Sequence, residues 1–256
     1  MSFALAPDGA RIAYQTSGEG APLLLLAGQA NSHHWWNGVR ADFAPYRTTI
    51  TLDYRGTGDS DAPDEHYSTR GFARDTIEVL DELGIDRADV YGTSMGGRVA
   101  QWVAADHPRR VRSLVLGCTS PGGTHGLERD AEVRAKLADP AVSRQFLLEL
   151  MYSPAWLADH PGPYWTLGDP HMSARSRKLH FRASAEHDAW DALPRIAAPT
   201  LILHGDADRF NPSANAPLLA SRIPRCRVEL IPGARHAYFE ERRDVASPSV
   251  VNFLAS

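Results

Sequence analysis

The sequence predicts an α/β protein with a mostly parallel central sheet and helices on both of its faces. Short apolar runs recur through most of the chain, which is the pattern of parallel strands that are buried on both faces. Amphipathic segments separate these runs, so strands and helices are expected to alternate. A chain of 256 residues can bury a self-sufficient core, so neither a disulfide nor a structural metal is needed for stability.

Seven short apolar runs are the predicted strands of this sheet. They cover residues 12–16, 23–27, 48–52, 88–91, 111–116, 200–204 and 227–231. Their length is typical of buried strands.

Two segments between the predicted strands show helical spacing of apolar residues. Residues 71–84 form an amphipathic pattern and end on Gly84, which suits a left-handed helix cap. Residues 95–107 place Val99 and Val103 on one face and stop before Pro108. We therefore expect a surface helix at each place.

The alternation of strands and helices lapses after residue 117 and resumes near residue 199. We expect an α/β core in two parts, residues 1–118 and 199–256, with a helical lid inserted at residues 119–198. The lid is rich in aromatic and long aliphatic side chains, which either pack its own core or line a pocket. The predicted pocket residues are Met151, Trp156 and Trp165 of the lid, together with Trp35 and Trp36 of the core.

Charge and composition argue against several kinds of partner. The chain carries 27 Lys and Arg against 31 Asp and Glu, a net charge of −4, without a basic run. Binding to nucleic acid or to an anionic membrane surface needs clustered positive charge, so we expect neither. The longest purely apolar stretch, residues 23–27, is far too short to span a bilayer, and residues 1–14 lack signal-peptide features. We expect a cytoplasmic protein whose two cysteines are buried, unpaired thiols.

A nucleophile pattern lies at the end of the fourth predicted strand. Gly92, Ser94 and Gly96 match G-x-S-x-G, between a strand that ends at Tyr91 and a helix that begins at Met95. In this context the pattern forms a tight turn that exposes the serine. The helix N-terminus beside Ser94 would stabilise developing negative charge. The alternative is an ordinary Ser-Gly helix cap.

Side chains that could activate Ser94 follow two later strands. A serine nucleophile needs a histidine base, and that histidine needs a carboxylate to orient it. Asp206 and Asp208 follow one predicted strand, and His236 follows the next. Residues after the carboxyl ends of parallel strands converge on one edge of the sheet. The order therefore predicts a Ser-His-Asp triad with Asp206 or Asp208 as its acid.

Other patterns predict neither a cofactor nor a metal ion. The Gly-containing loop at residues 53–58 is not a dinucleotide fingerprint, because Asp61 occupies the position of the third glycine. The chain has no phosphate-binding loop pattern and no His or Cys spacing typical of metal ligands. His33 and His34 are adjacent, so their rings point in different directions and form a poor chelate.

With these motifs, the chain resembles the α/β-hydrolase family over nearly its whole length, and most closely its small esterases and 3-oxoadipate enol-lactonase-like proteins. Asp53, Arg55, Gly56, Gly58 and Ser60 match the family pattern D-x-R-G-x-G-x-S, and Gly205 and Asp208 match G-x-x-D. The resemblance implies an α/β-hydrolase fold and selects Asp208 over Asp206 as the acid.

The resemblance also implies an oxyanion hole made of two backbone N–H groups. One belongs to Met95, the residue after the nucleophile. The other belongs to the loop after the third strand of the family fold, which here follows residues 23–27, and Gln29 is the predicted donor in it. The family commonly has His-Gly in that loop, whereas this chain has Ala27 and Gly28. A backbone donor does not need the histidine side chain, so the reaction class is unaffected.

The predicted function is hydrolysis of a carboxylic ester or lactone of a small-to-medium apolar molecule. Other hypotheses are C–C bond hydrolysis or cofactor-free perhydrolysis with the same triad, and a non-catalytic small-molecule binder with this fold. Ser94 disfavours haloalkane dehalogenase and epoxide hydrolase activities, for which the family uses Asp. Arg175, Arg177 and Arg182 of the lid are close enough together to anchor a carboxylate, and we interpret them instead as a solvated helix face.

Overall fold

A computed structural model describes residues 1–139 and 141–255 of the chain, and its centre is an eight-stranded sheet. The strands are β1 (Ser2–Leu5), β2 (Arg11–Ser17), β3 (Ala21–Leu26), β4 (Arg47–Leu52), β5 (Ala88–Thr93), β6 (Val111–Gly117), β7 (Thr200–Gly205) and β8 (Cys226–Ile231). Their order in the sheet is β1-β2-β4-β3-β5-β6-β7-β8. β1 and β2 pair antiparallel, β2 pairs antiparallel with β4, and all other pairs are parallel.

All seven predicted strands are present, and each boundary lies within two residues of its prediction. The alternation of short apolar runs was therefore sufficient to find the parallel part of the sheet. The prediction missed β1 at the sheet edge, where Leu5 is 65% exposed. An edge strand of four residues is held mainly by backbone hydrogen bonds to one neighbour, so it has no continuous apolar run to reveal it.

The helices cover both faces of the sheet. They are α1 (Arg40–Phe43), α2 (Thr69–Glu82), α3 (Met95–Asp106), α4 (Ala131–Ala138), α5 (Arg144–Met151), α6 (Pro154–Asp159), α7 (Ala174–Ala185), α8 (Asn215–Ala220), α9 (Tyr238–Glu241) and α10 (Arg243–Ala255). α2 begins two residues earlier than predicted, because Ser68 caps it by accepting a hydrogen bond from the Gly71 N–H. Gly84 has a φ of +62° after the end of α2, as its predicted role requires.

The apolar residues of the central strands form the core of the molecule. Leu23 to Leu26 are fully buried in β3, which lies between β4 and β5. Cys118 is buried and Cys226 is half-buried, and both are unpaired thiols. No helix in the described part of the chain has the length and apolar character to cross a bilayer.

Helices α4 to α7 lie in the chain between β6 and β7, where the lid is predicted. Hydrogen bonds join these helices to the core, and two of them show the pattern. The N–H of Ala237 donates to the carbonyl of Met151 at the end of α5 (2.8 Å), and the ring Nε2 of His180 in α7 lies 2.8 Å from the carbonyl oxygen of Arg55. The boundaries of the lid at residues 119 and 198 stay a prediction.

Candidate active site

Ser94 occupies a strained turn between β5 and α3. Its φ of +56° and ψ of −123° lie in a region that non-glycine residues rarely adopt. Gly92 and Gly96 permit this turn. A Cβ atom on Gly92 would collide with the Gly96 carbonyl, and one on Gly96 would collide with the Leu26 carbonyl. The small residues of the G-x-S-x-G pattern are therefore needed because backbone segments pass one another at this point.

Backbone hydrogen bonds fix the turn from both sides. The N–H of Ser94 donates to the carbonyl of Gly117 at the end of β6 (2.8 Å). The hydroxyl of Thr119 donates to the carbonyl of Ser94 (2.8 Å). These bonds hold the serine at the carboxyl edge of the sheet and leave its hydroxyl for another partner.

The structure brings Ser94, His236 and Asp208 together at this edge. Nε2 of His236 lies 3.0 Å from Oγ of Ser94, and its Nδ1 lies 2.7 Å from Oδ2 of Asp208. Asp206 is exposed, and its Oδ1 accepts a hydrogen bond from the N–H of Gly233 (2.7 Å). Asp206 therefore joins two loops, whereas Asp208 is the carboxylate that contacts the histidine.

Asp208 is buried among groups that stabilise its charged form. Its Oδ1 accepts hydrogen bonds from the N–H groups of Phe210 and Asn211 (2.8 Å each), and Nε2 of His204 lies 3.2 Å from Oδ2. Burial by itself raises the pKa of Asp208, but the charge of His236 and hydrogen bonds from His204 and His236 outweigh it and hold the pKa well below its ordinary range. Asp208 is thus a permanent acceptor for His236.

His236 is positioned by the lid as well as by Asp208. Its N–H lies 3.4 Å from the carbonyl oxygen of Leu150 in α5, and the ring of Phe210 packs 4.8 Å from the imidazole. Sequence reasoning did not identify the supporting roles of His204, Phe210 and Asn211. The available signal was the Asp-x-x-Asn spacing of Asp208 and Asn211, which is typical of a loop folded around an aspartate side chain.

Met95 directly follows the serine, and Gln29 lines the cavity that Ser94 borders. Met95 is the first residue of α3, and the first N–H groups of a helix have no partner within it. Within the described residues, no recorded hydrogen bond uses the N–H of Gln29, which borders the same cavity as Ser94. Their role as an oxyanion hole stays a prediction that this placement supports.

A cavity of about 330 Å³ opens above Ser94 and His236. Two of the predicted pocket residues, Trp35 and Met151, line it. The indole N–H of Trp35 donates to the hydroxyl of Thr93 (2.8 Å), next to the nucleophile. The rest of the lining is mainly apolar and includes Leu137, Val142, Leu147, Leu167, Phe181 and Phe210.

The other three predicted pocket residues do not line this cavity, so that part of the prediction is wrong. Trp36 is completely buried in the core. Trp156 stacks on Tyr152 with ring centroids 4.4 Å apart, and Trp165 is 38% exposed and stacks on His34. An aromatic residue on a short helix or loop can face the core, the solvent or the pocket, and one sequence does not indicate the rotation of such an element.

The lid arginines divide between the surface and the cavity. Arg175 forms an ion pair with Asp64, and Arg182 forms one with Glu186, as expected of a solvated face. Arg177 instead borders the cavity above Ser94. Arg129, which the sequence analysis did not select, borders it too. The pocket is therefore not purely apolar.

Across residues 1–139 and 141–255, no group of three or more His, Cys, Asp or Glu side chains is arranged to hold a metal ion. The rings of His33 and His34 are tilted against each other with centroids 4.1 Å apart, and His33 uses its polar atoms elsewhere. Its Nδ1 lies 2.8 Å from Oδ1 of Asp53, and its N–H donates to the same oxygen (2.6 Å). This contact fixes the loop after β3 against the loop after β4, which is a structural role.

Comparisons with known proteins agree with this fold. A family model described as the alpha/beta hydrolase fold matches residues 21–242. The chain is 32% identical over 266 residues to a 2-hydroxymuconate semialdehyde hydrolase of Pseudomonas sp. (strain CF600), covering 96% of this chain and 91% of that protein. It is 28% identical over 276 residues to a non-heme haloperoxidase of Rhodococcus erythropolis, covering all of both chains.

Comparison with a solved structure shows the same fold. Est816, described as an N-acyl homoserine lactone degrading enzyme, superimposes with a TM-score of 0.84 at 30% sequence identity, over 98% of this chain and 99% of that one. The family match covers most of the chain, including the strand-turn-helix around Ser94 and the loops that carry Asp208 and His236. The chain therefore belongs to the α/β-hydrolase family.

Proposed function

We propose that this protein is a serine hydrolase that cleaves a carboxylic ester or lactone through an acyl-enzyme on Ser94. The observation that carries the proposal is the continuous contact from Oγ of Ser94 through the imidazole of His236 to Asp208, at 3.0 and 2.7 Å. These contacts lie at a strained turn under a cavity that a small molecule can fill. Each member has the partner that its chemical role requires.

In the first half-reaction, Nε2 of His236 removes the hydroxyl proton of Ser94 as Oγ attacks the carbonyl carbon. Asp208 accepts the hydrogen bond from Nδ1–H, so Nε2 is the nitrogen that takes the proton. The imidazolium then gives its proton to the departing alcohol oxygen, and the acyl group stays on Ser94. In the second half-reaction, His236 removes a proton from water as its oxygen attacks the acyl carbon. The imidazolium then returns this proton to Oγ of Ser94 as the acid leaves.

The negative charge on the tetrahedral intermediate needs hydrogen-bond donors. We assign this role to the backbone N–H groups of Met95 and Gln29. Loss of one such donor typically costs about 3 kcal/mol of transition-state stabilisation. The loop that carries Gln29 is held by the hydrogen bond between Trp35 and Thr93, so this bond positions the donor.

The cavity supports a small-to-medium substrate with an apolar body. Its volume of about 330 Å³ is at the lower end of the range for ligand sites, and most of its lining is aliphatic or aromatic. The lactone degradation described for Est816 is consistent with this size class. The proposed partner is therefore a small-molecule ester or lactone.

Covalent labelling and turnover test the proposal together. We expect a fluorophosphonate probe to label Ser94 and p-nitrophenyl acetate to be hydrolysed, and we expect Ser94→Ala to abolish both. The matched control is Ser221→Ala, which removes an exposed hydroxyl that donates to the carbonyl of Leu218, away from the proposed site. Unchanged turnover in the Ser94→Ala protein would refute the proposed mechanism.

A second candidate is C–C bond hydrolysis with the same triad. The 32% identity to a 2-hydroxymuconate semialdehyde hydrolase favours it, and the match to a non-heme haloperoxidase similarly favours perhydrolysis. Labelling of Ser94 without turnover of any acyl ester would support one of these two activities. A complete lack of labelling would support a non-catalytic binder.

A further inference from the structure

A second cavity adjoins the catalytic one. It has a volume of about 250 Å³, and Gln29, Arg129, Leu137 and Phe181 line both cavities. Its charged lining consists of Arg98, Arg129, Arg134 and Glu128, and these four residues define what we name the arginine compartment. Because these four residues line both cavities, the two cavities are immediate neighbours, and the Arg129 side chain borders each of them.

The arginine compartment has an excess of positive charge. Three guanidinium groups face a single carboxylate, that of Glu128. The imidazole of His187 also lines the cavity, but burial lowers its pKa well below the ordinary value, so it is neutral. An anion that enters this space therefore meets more positive than negative charge.

These arginines lack the carboxylate partners that most arginines of this chain have. The Arg98 guanidinium donates only to neutral oxygens, which are the carbonyl and hydroxyl of Ser184 and the hydroxyl of Ser120. Among the residues described, Arg129 has no ion pair and no side-chain hydrogen bond, and its guanidinium lies 4.5 Å from the centre of the Phe210 ring. Arg134 likewise has no ion pair within the described part of the chain.

The lack of partners matters because two of these cations are largely desolvated. Burial, together with the charge of Arg129, lowers the pKa of Arg98 to about 10, and burial also lowers the pKa of Arg129. Both side chains stay charged at neutral pH without an ion-pair contact, and the nearby charges of Glu128 and, for Arg129, of Asp208 offset only part of the effect of burial, so an energetic cost remains. A bound anion would reduce that cost by supplying the missing partner.

The compartment is close to the reacting atoms. Arg98 lies in the first turn of α3, which begins directly after Ser94, and its side chain lines the second cavity. Arg129 borders the cavity that contains Ser94 and His236. An anionic group held there would therefore be separated from the scissile carbonyl by only a short chain.

We propose that the arginine compartment binds a carboxylate of the substrate, so that the enzyme prefers an ester or lactone with an acidic end, such as a monoester of a short dicarboxylic acid. This inference rests on the proposed function and adds an acidic group to its apolar substrate. A planar guanidinium matches the two oxygens of a carboxylate. Glu128 opposes a dianionic phosphate more strongly than a singly charged carboxylate, which favours the carboxylate.

Two esters of equal length test the proposal. The p-nitrophenyl monoester of adipic acid and p-nitrophenyl hexanoate differ in their terminal carboxylate and methyl groups. We expect a higher kcat/KM for the adipate ester. Arg129→Gln should lower the ratio of the two kcat/KM values by about 10- to 100-fold, mainly through KM, because a charge-assisted hydrogen bond is lost. Arg134→Gln, at an exposed position, should also lower this ratio of kcat/KM values. It replaces Arg129→Gln as the test variant if Arg129→Gln does not fold.

The control variant is Arg175→Gln, which removes a lid cation that pairs with Asp64 outside both cavities. It should leave the ratio unchanged. A wild-type enzyme without preference for the adipate ester, or a ratio unaffected by both test variants, would overturn the inference. If p-nitrophenyl hexanoate is still hydrolysed by the wild type and not by Ser94→Ala, the proposed function holds even though the inference about the carboxylate fails.

Binding measured without turnover separates the two proposals if no ester is hydrolysed. We expect adipate to raise the melting temperature of the wild-type protein and to have a smaller effect on Arg129→Gln. This result would support the compartment even if the proposed hydrolysis failed. No effect of adipate on the wild type would overturn the inference. An Arg129-dependent rise with inorganic phosphate but not with adipate would overturn the assignment to a carboxylate.

Discussion

Replacement of His180 should make the free energy of unfolding less dependent on pH at acidic pH. His180 lies in α7, and its ring packs 5.0 Å from the Phe72 ring in the core. Its Nε2–H donates to the carbonyl of Arg55 (2.8 Å), and its Nδ1 accepts from the N–H of Ala30 (3.4 Å). A second proton on Nδ1 would oppose the Ala30 donor and place a charge in an apolar region. Burial accordingly lowers the pKa of His180 to about 4.

The pKa difference gives the size of the effect. Between about pH 4 and pH 6.5 the unfolded chain binds more protons than the folded one, so the free energy of unfolding decreases as the pH falls through this window. Relative to an ordinary pKa of 6.5, the loss at about pH 5 amounts to about 2 kcal/mol. At about pH 7.5 the contribution of His180 to this loss is about zero.

Urea unfolding at about pH 7.5 and about pH 5 measures the effect. The variant His180→Gln keeps an amide that can donate to the Arg55 carbonyl but cannot take up a proton. Its free energy of unfolding should fall by about 2 kcal/mol less between the two pH values than that of the wild type. His171→Gln, which replaces an exposed histidine of the lid, is the control and should follow the wild type. An identical pH dependence in the wild type and His180→Gln would refute this reasoning.

Three further predictions follow from single residues. Asp208→Asn should lower kcat by about 10⁴-fold in an ester assay, because His236 loses the acceptor that orients it. The control Asp206→Asn should keep a kcat near that of the wild type. The opposite result would mean that Asp206 is the acid. Gly96→Ala should destabilise the fold by about 3 kcal/mol in urea unfolding, since its Cβ would collide with the Leu26 carbonyl, and wild-type stability would contradict that close approach. Burial raises the pKa of Glu240 to about 7, so the unfolding free energy of the wild type should fall by about 1 kcal/mol between about pH 6 and pH 9, and Glu240→Gln should abolish this loss. An equal loss in both proteins would contradict the raised pKa.

Much of the sheet and the triad could be predicted because their signals are local. Each parallel strand is a short apolar run, and the serine turn needs small residues at Gly92 and Gly96 wherever it occurs. Ser94, Asp208 and His236 could be associated without a structure, since parallel topology places the ends of all parallel strands on one edge. The choice of Asp208 over Asp206 depended on the family resemblance, and the structure now gives it a geometric basis.

The tertiary structure decided which side chains reach the substrate space. Trp35 and Trp36 are identical neighbours in the sequence, but of the two only Trp35 lines the cavity. The next residue on a short helical turn points in another direction, so the ring of Trp36 is buried in the core. Arg98 and Arg129 belong to separate elements and approach one another only when the chain after β6 folds over α3. Sequence by itself located the proposed catalytic residues at the edge of the sheet, because their positions follow from strand topology and turn chemistry. The shape and charge of the pocket arise from contacts between distant segments, so only the folded chain determines them.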